Sequence, residues 1–101
     1  MAKKYPIEYL PIAQNDLAEI LEYIRKDSPN AALKFLNDLD SIVAKLEDFP
    51  LIGQTPKDIR LEYLGYRMLI VGSYLLFYVI KKDYIEIRRI VHGKRKYSYL
   101  L

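Results

Sequence analysis

The dipeptide Gly72-Ser73 stands between "YRMLIV" and "YLLFYVI", two runs dense in aromatic and β-branched residues. A two-residue connection containing glycine between such runs is a β-hairpin signal, and it fixes register as well as existence. Val71 falls opposite Tyr74, Leu69 opposite Leu76, and Arg67 opposite Tyr78. Side chains alternate across a strand, so Arg67, Tyr74 and Tyr78 share one face. Tyr66, Met68, Ile70, Leu75, Phe77 and Val79 share the other. The second set is the more apolar, so it is expected to lie under whatever layer covers the sheet.

"YIEIRRIVH" supplies a further strand. A three-residue turn over Lys82–Tyr84 would place Ile85, Ile87 and Val91 on the covered face. Glu86, Arg88, Ile90 and His92 would then join Arg67, Tyr74 and Tyr78 on the open one, because a one-residue slip reverses every side chain. Arg89 falls on the covered face with no evident partner. "RLEYL" reads as another short strand, and "YPIEYL" as an edge strand, where the missing N–H of Pro6 is tolerated. Between them Ala13, Leu17, Ile20, Leu21 and Ile24 repeat at helical spacing, with Asp16, Glu19 and Glu22 read as a solvent-facing acidic side. Ser28-Pro29 ends that helix and starts a second, with Ser28 as N-cap and Pro29 at the first helical position. The second stripe is Ala32, Phe35, Leu36, Leu39, Ile42, Val43 and Leu46, so the two helices form an antiparallel hairpin. "FPLIGQTPKD" reads as a loop. The fold class is α+β: an N-terminal strand and an α-helical hairpin packed on one face of a small antiparallel β-sheet, with residues 1–101 as a single domain.

The chain has no cysteine and one histidine, which excludes disulfides and thiolate zinc sites and makes an all-protein metal site improbable. No cofactor fingerprint occurs: there is no P-loop, HExxH or Ser-His-Asp spacing. The longest apolar run, Met68 to Ile80, is interrupted by Gly72-Ser73 and is too short to cross a bilayer. "MAKKYPIEY" carries no apolar leader. These features predict a cytoplasmic protein without a membrane partner. Charge is uneven: residues 1–50 hold 6 Lys/Arg against 9 Asp/Glu, and residues 51–101 hold 10 against 4. A basic half is the footprint of an anionic partner, either a nucleic acid or an acidic protein. The charge gathers at "IRRIVHGKRKY", where a strand runs into His92, Lys94, Arg95, Lys96 and Tyr97. Arg67, Tyr78 and Arg88 on the open face, with Lys94, Arg95 and Lys96, are the candidate target-binding residues.

In order and spacing, "LPIAQNDLAEILEYI", "NAALKF", "FPLIG", "YRMLIVGSYLLFYVI" and "IEIRRIVHGKRKY" together resemble the RelE/ParE toxins of bacterial type II toxin–antitoxin modules, over essentially the whole chain. The resemblance implies the same fold and a cognate antitoxin that wraps the toxin. It also implies one of two targets. Relatives that cleave mRNA on the ribosome need a base, a phosphate-holding cation and an acid. Arg67, Arg95, His92 and Tyr97 are the candidate catalytic residues on that reading. Relatives of that kind also carry basic residues where this chain has Leu69 and Leu75. Relatives that inhibit DNA gyrase have no catalytic centre, and "VGSYLLFYVI" followed by "HGKR" resembles that branch more closely. A homodimer of the free chain is a further expectation, and a basic nucleic-acid-binding module is the rival outside the family.

Overall fold

The structure, a computed structural model, describes residues 3–101; Met1 and Ala2, which bear on the expectation about a leader, lie outside it. Strand β1 (Ile7–Tyr9) leads into helices α1 (Pro11–Asp27) and α2 (Pro29–Asp48). A single 3-10 turn (Pro50–Ile52) and the short helix α3 (Ile59–Tyr63) follow. Strands β2 (Tyr66–Val71), β3 (Tyr74–Ile80) and β4 (Ile85–His92) and a final 3-10 turn (Tyr97–Tyr99) complete the order. The sheet runs β1-β4-β3-β2, antiparallel except that β1 lies parallel to β4.

Local chemistry accounts for the element ends. The Ser28 hydroxyl accepts the Ala31 N–H at 3.1 Å, and Pro29 opens α2 at no cost because its N–H would have lacked a partner. Ala32, Phe35, Leu39 and Leu46 of the expected stripe are buried. The "RLEYL" segment is helical rather than extended. Asp58 accepts the Leu61 N–H at 3.0 Å and caps one turn that buries Leu61 alone, and this cap outweighs the β-propensity of the run.

The β2–β3 register is the expected one, but the choice of covered face is reversed. Helices α1 and α2 pack on Val71, Leu76, Tyr78, Ile85, Ile87 and Ile90, the side that holds Tyr74 and Tyr78. Tyr78, expected on an open face, is fully buried. The other face is not bare either. Leu61 of α3 covers Tyr66, Phe77, Val79 and Val91, with Tyr97, Leu100 and Leu101 packed against them.

Two local features upset the expected parity of β4. The β3–β4 connection has four residues, Lys81–Tyr84, closed by the Lys81 N–H to Tyr84 O bond. A β-bulge then shifts the register between Phe77 and Tyr78, so two residues of β4, Arg88 and Arg89, follow one another on the same side. Ile87 and Ile90 therefore both face the helices. Glu86 and Arg88 face α3 instead of joining Ile90 and His92, and Val91 moves off the helix side.

Candidate functional site

The bulge places Arg89 where its guanidinium can reach around the sheet to α1. Its Nε and Nη2 donate to the two carboxylate oxygens of Asp16 at 2.8 and 2.9 Å, and Nη1 donates to Leu100 O at 3.1 Å. Asp16 also accepts the Ile90 N–H at 3.0 Å, taking the place of a strand just beyond the end of β1. Asp16 is thus a buried partner of β4 and not part of a solvent face. Its hydrogen bonds raise the Arg89 pKa above the ordinary guanidinium value, against the effect of burial. The sequence does contain a signal for this pair: Asp16 sits three residues after Ala13 and four before Ile20, on the apolar stripe itself.

Beside that pair a cleft of about 160 Å³ opens between α1 and the end of β4, lined in part by Glu19, Tyr23, Tyr74, His92 and Arg95. The His92 ring packs edge-on against Tyr74 with centroids 5.2 Å apart. Its Nδ1 accepts the Lys94 N–H at 3.1 Å, which leaves the ring proton of the neutral form on Nε2. The same bond, with Gly93 N–H to Ser73 O at 2.9 Å, folds the turn that carries Lys94, Arg95 and Lys96 into water. None of the ion pairs among the described residues includes any of these three.

The remaining expected site residues lie elsewhere. Arg67 is half-buried; its Nη1 donates to Gly53 O at 2.8 Å and Leu51 O at 3.3 Å. Tyr78 hydrogen-bonds the same segment, donating to Pro50 O at 2.7 Å and accepting the Gly53 N–H at 2.9 Å. Burial raises the Tyr78 pKa, opposed by that N–H and by the Arg67 charge. Together Arg67 and Tyr78 are a clasp on residues 50–54 and do not form an open grip. Arg88 lies over the Tyr66 ring at 5.5 Å. Its Nε sits 2.6 Å from Glu86 Oε1 without hydrogen-bonding alignment, so that buried nitrogen has no hydrogen-bond partner. The Tyr97 ring packs on Phe77 at a 41° tilt with centroids 4.9 Å apart, on the sheet face opposite the helices. Only His92 and Arg95 of the four candidate catalytic residues share a cleft. Arg67 lies four residues along and two strands across from His92, on the order of 15 Å at strand spacings.

What the fold and surface define is a small α+β protein with a helical hairpin on one sheet face, a short helix and terminal turn on the other, and a cationic turn at the sheet's end. A family model described as the ParE toxin of the type II toxin–antitoxin system parDE matches residues 7–97. A solved chain described as the chromosomal ParDE TA system from P. aeruginosa superposes with a TM-score of 0.71 at 22% identity, over 88% of this chain and 96% of that one. That likeness shows the shared fold. No curated protein matches this sequence. The chain belongs to the ParE toxin family of type II toxin–antitoxin systems.

Proposed function

We propose that this toxin arrests growth by binding DNA gyrase through its cationic turn, without chemistry of its own, and is silenced by a cognate antitoxin. On this reading it acts in the cytoplasm; among the described residues no helix is long and apolar enough to cross a membrane. The observation that carries the choice of binding over cleavage is the separation of Arg67 and Tyr97 from the cleft that holds His92 and Arg95. Phosphoryl transfer needs its base, cation and acid within hydrogen-bond reach of one phosphate. Here Arg67 is committed to loop carbonyls and Tyr97 to the far face. Lys94, Arg95 and Lys96 remain free to meet an anionic surface.

Purified chain should block supercoiling by purified gyrase. The triple substitution of Lys94, Arg95 and Lys96 by Ala should relieve the block by at least about tenfold, with stability changed by under about 0.5 kcal/mol per site because all three are exposed. Cleavage on the ribosome has one observation of its own, the meeting of His92 and Arg95 in the α1–β4 cleft. Ribosome-phased message ends in arrested cells, lost with Arg95→Ala, together with unimpaired supercoiling would replace the gyrase reading with that one.

A further inference from the structure

Helix α3 is little more than one turn long, and Leu61 is its only buried side chain. Ile59 and Tyr63 sit four residues apart and therefore share the side of that turn away from Leu61. Each is 88% exposed. The terminal 3-10 turn adds Tyr99, 84% exposed. Single apolar residues in water are ordinary, whereas a cluster of them on one surface is what an interaction site presents. The Asp58 cap and Leu61 hold α3 without help from Ile59 or Tyr63, so packing gives no reason for either.

Hydrogen bonds tie these residues to the cationic turn. Arg60 Nη2 donates to Ser98 O at 3.0 Å, which fixes α3 against the terminal turn. The Tyr99 N–H donates to Lys96 O at 3.3 Å, which folds Tyr99 back to the last of the three cations. Tyr97 anchors the connection, with its ring on Phe77 in the cluster that Leu61 covers. Lys57 and Arg60 stand exposed on either side of Ile59 in the chain, and neither joins an ion pair among the described residues. The acids of the same segment are Asp58, whose carboxylate accepts the Leu61 N–H, and Glu62. An apolar centre with a mainly cationic rim results.

We propose that Ile59, Tyr63 and Tyr99 are the anchor by which the toxin seats on its target, a protein surface offering an apolar pocket rimmed by carboxylates. That this protein is gyrase rests on the reading above; the shape and charge of the anchor do not. Tyrosine and arginine are the side chains that most often carry binding energy at the centre of an interface. Charges at a rim mainly steer the approach, and Lys94, Arg95 and Lys96 are placed to do so. A nucleic-acid single strand would stack on the tyrosine rings but give Ile59 nothing to seat against. A second copy in a two-fold dimer would set the patch against itself, cation facing cation.

The test measures the full chain binding to immobilised gyrase, alongside supercoiling inhibition. Ile59→Ala, Tyr63→Ala and Tyr99→Ala should each raise koff by at least about tenfold and weaken inhibition in proportion, with kon unchanged. Tyr63→Phe keeps the ring and should stay within about threefold of the wild type. The triple alanine variant of Lys94, Arg95 and Lys96 should chiefly lower kon, an effect that fades at high salt. Leu33→Ala, at a 58% exposed position on α2, should change neither rate. Urea midpoints should match the wild type throughout, because every substituted side chain is exposed. Wild-type koff and full inhibition in all three anchor variants would overturn the proposal. So would a concentration-dependent doubling of mass that Tyr63→Ala abolishes, or tight binding of a thymidine oligonucleotide lost with both tyrosine variants but kept by Ile59→Ala. Wild-type chain that never binds gyrase sinks the target reading. Wild-type and anchor variants that block gyrase equally well sink the anchor alone.

Discussion

Asp16 does two jobs with one carboxylate. It neutralises Arg89, and it gives Ile90 the acceptor that a neighbouring strand would otherwise supply. Both partners are more than four-fifths buried at the side chain, so solvent screens the pair poorly. Removing the acid leaves a guanidinium with the Leu100 carbonyl alone and a backbone N–H with no partner, in a place water reaches with difficulty. Asp16→Ala is therefore expected to cost about 3–5 kcal/mol. Asp16→Asn, which keeps an acceptor for Ile90 but no charge, should cost about half as much. Urea midpoints measure both; a loss below about 1 kcal/mol for the alanine variant would mean that the pair does not hold α1 to β4.

At the scale of elements, the segment 50–54 is held to the sheet by the Arg67 and Tyr78 side chains and by a single backbone bridge between Gln54 and Met68. Gly53→Ala forces its Cβ against the Tyr78 hydroxyl and Met68 O, and is expected to cost about 2–3 kcal/mol through crowding and lost hydrogen bonds. Gly72→Ala meets nothing within 4 Å and pays only for a left-handed backbone at φ +60, about 1 kcal/mol. Equal losses in denaturant titrations would contradict the clasp. The same elements show what the sequence makes legible. The helical hairpin, the Ser28 cap and the β2–β3 register follow from periodicity, capping and turn chemistry, all of them local. The covered face did not follow, because apolar count was the criterion and both faces are covered, one by helices and one by Leu61 and the Tyr97–Leu101 segment. The bulge at Arg88 and Arg89 leaves no mark on alternation that one strand alone would reveal. Among the candidate site residues, the Lys94–Lys96 cluster stands in water as its composition suggests. Arg67 and Tyr78 turn out to hold a loop, a contact twenty-five residues distant for Tyr78 and invisible to any local rule.

Across the whole molecule, tyrosines report how tightly the layers close. Tyr9 on β1, Tyr74 at the start of β3 and Tyr78 near its centre all have pKa values raised above the ordinary 10.0, in each case chiefly by burial. Asp40 adds to the effect at Tyr9 and Tyr23 at Tyr74, while Gly53 and Arg67 oppose it at Tyr78. A raised folded pKa means that the protonated phenol is the form the fold accepts. Below about pH 10 both folded and unfolded chains hold that proton, and the tyrosines make no pH-dependent difference. Above it the unfolded chain ionises first, so stability falls as pH rises towards the folded values. The urea midpoint is thus expected to stay level between about pH 7 and 9 and to decline beyond about pH 10. The share of tyrosinate absorbance that belongs to Tyr9, Tyr74 and Tyr78 should appear together with loss of the folded state, since these hydroxyls ionise only when the layers part. Tyrosinate formed in full while the fold persists would show that water reaches Tyr9, Tyr74 and Tyr78 freely, and that the sheet is not sealed between its two covers.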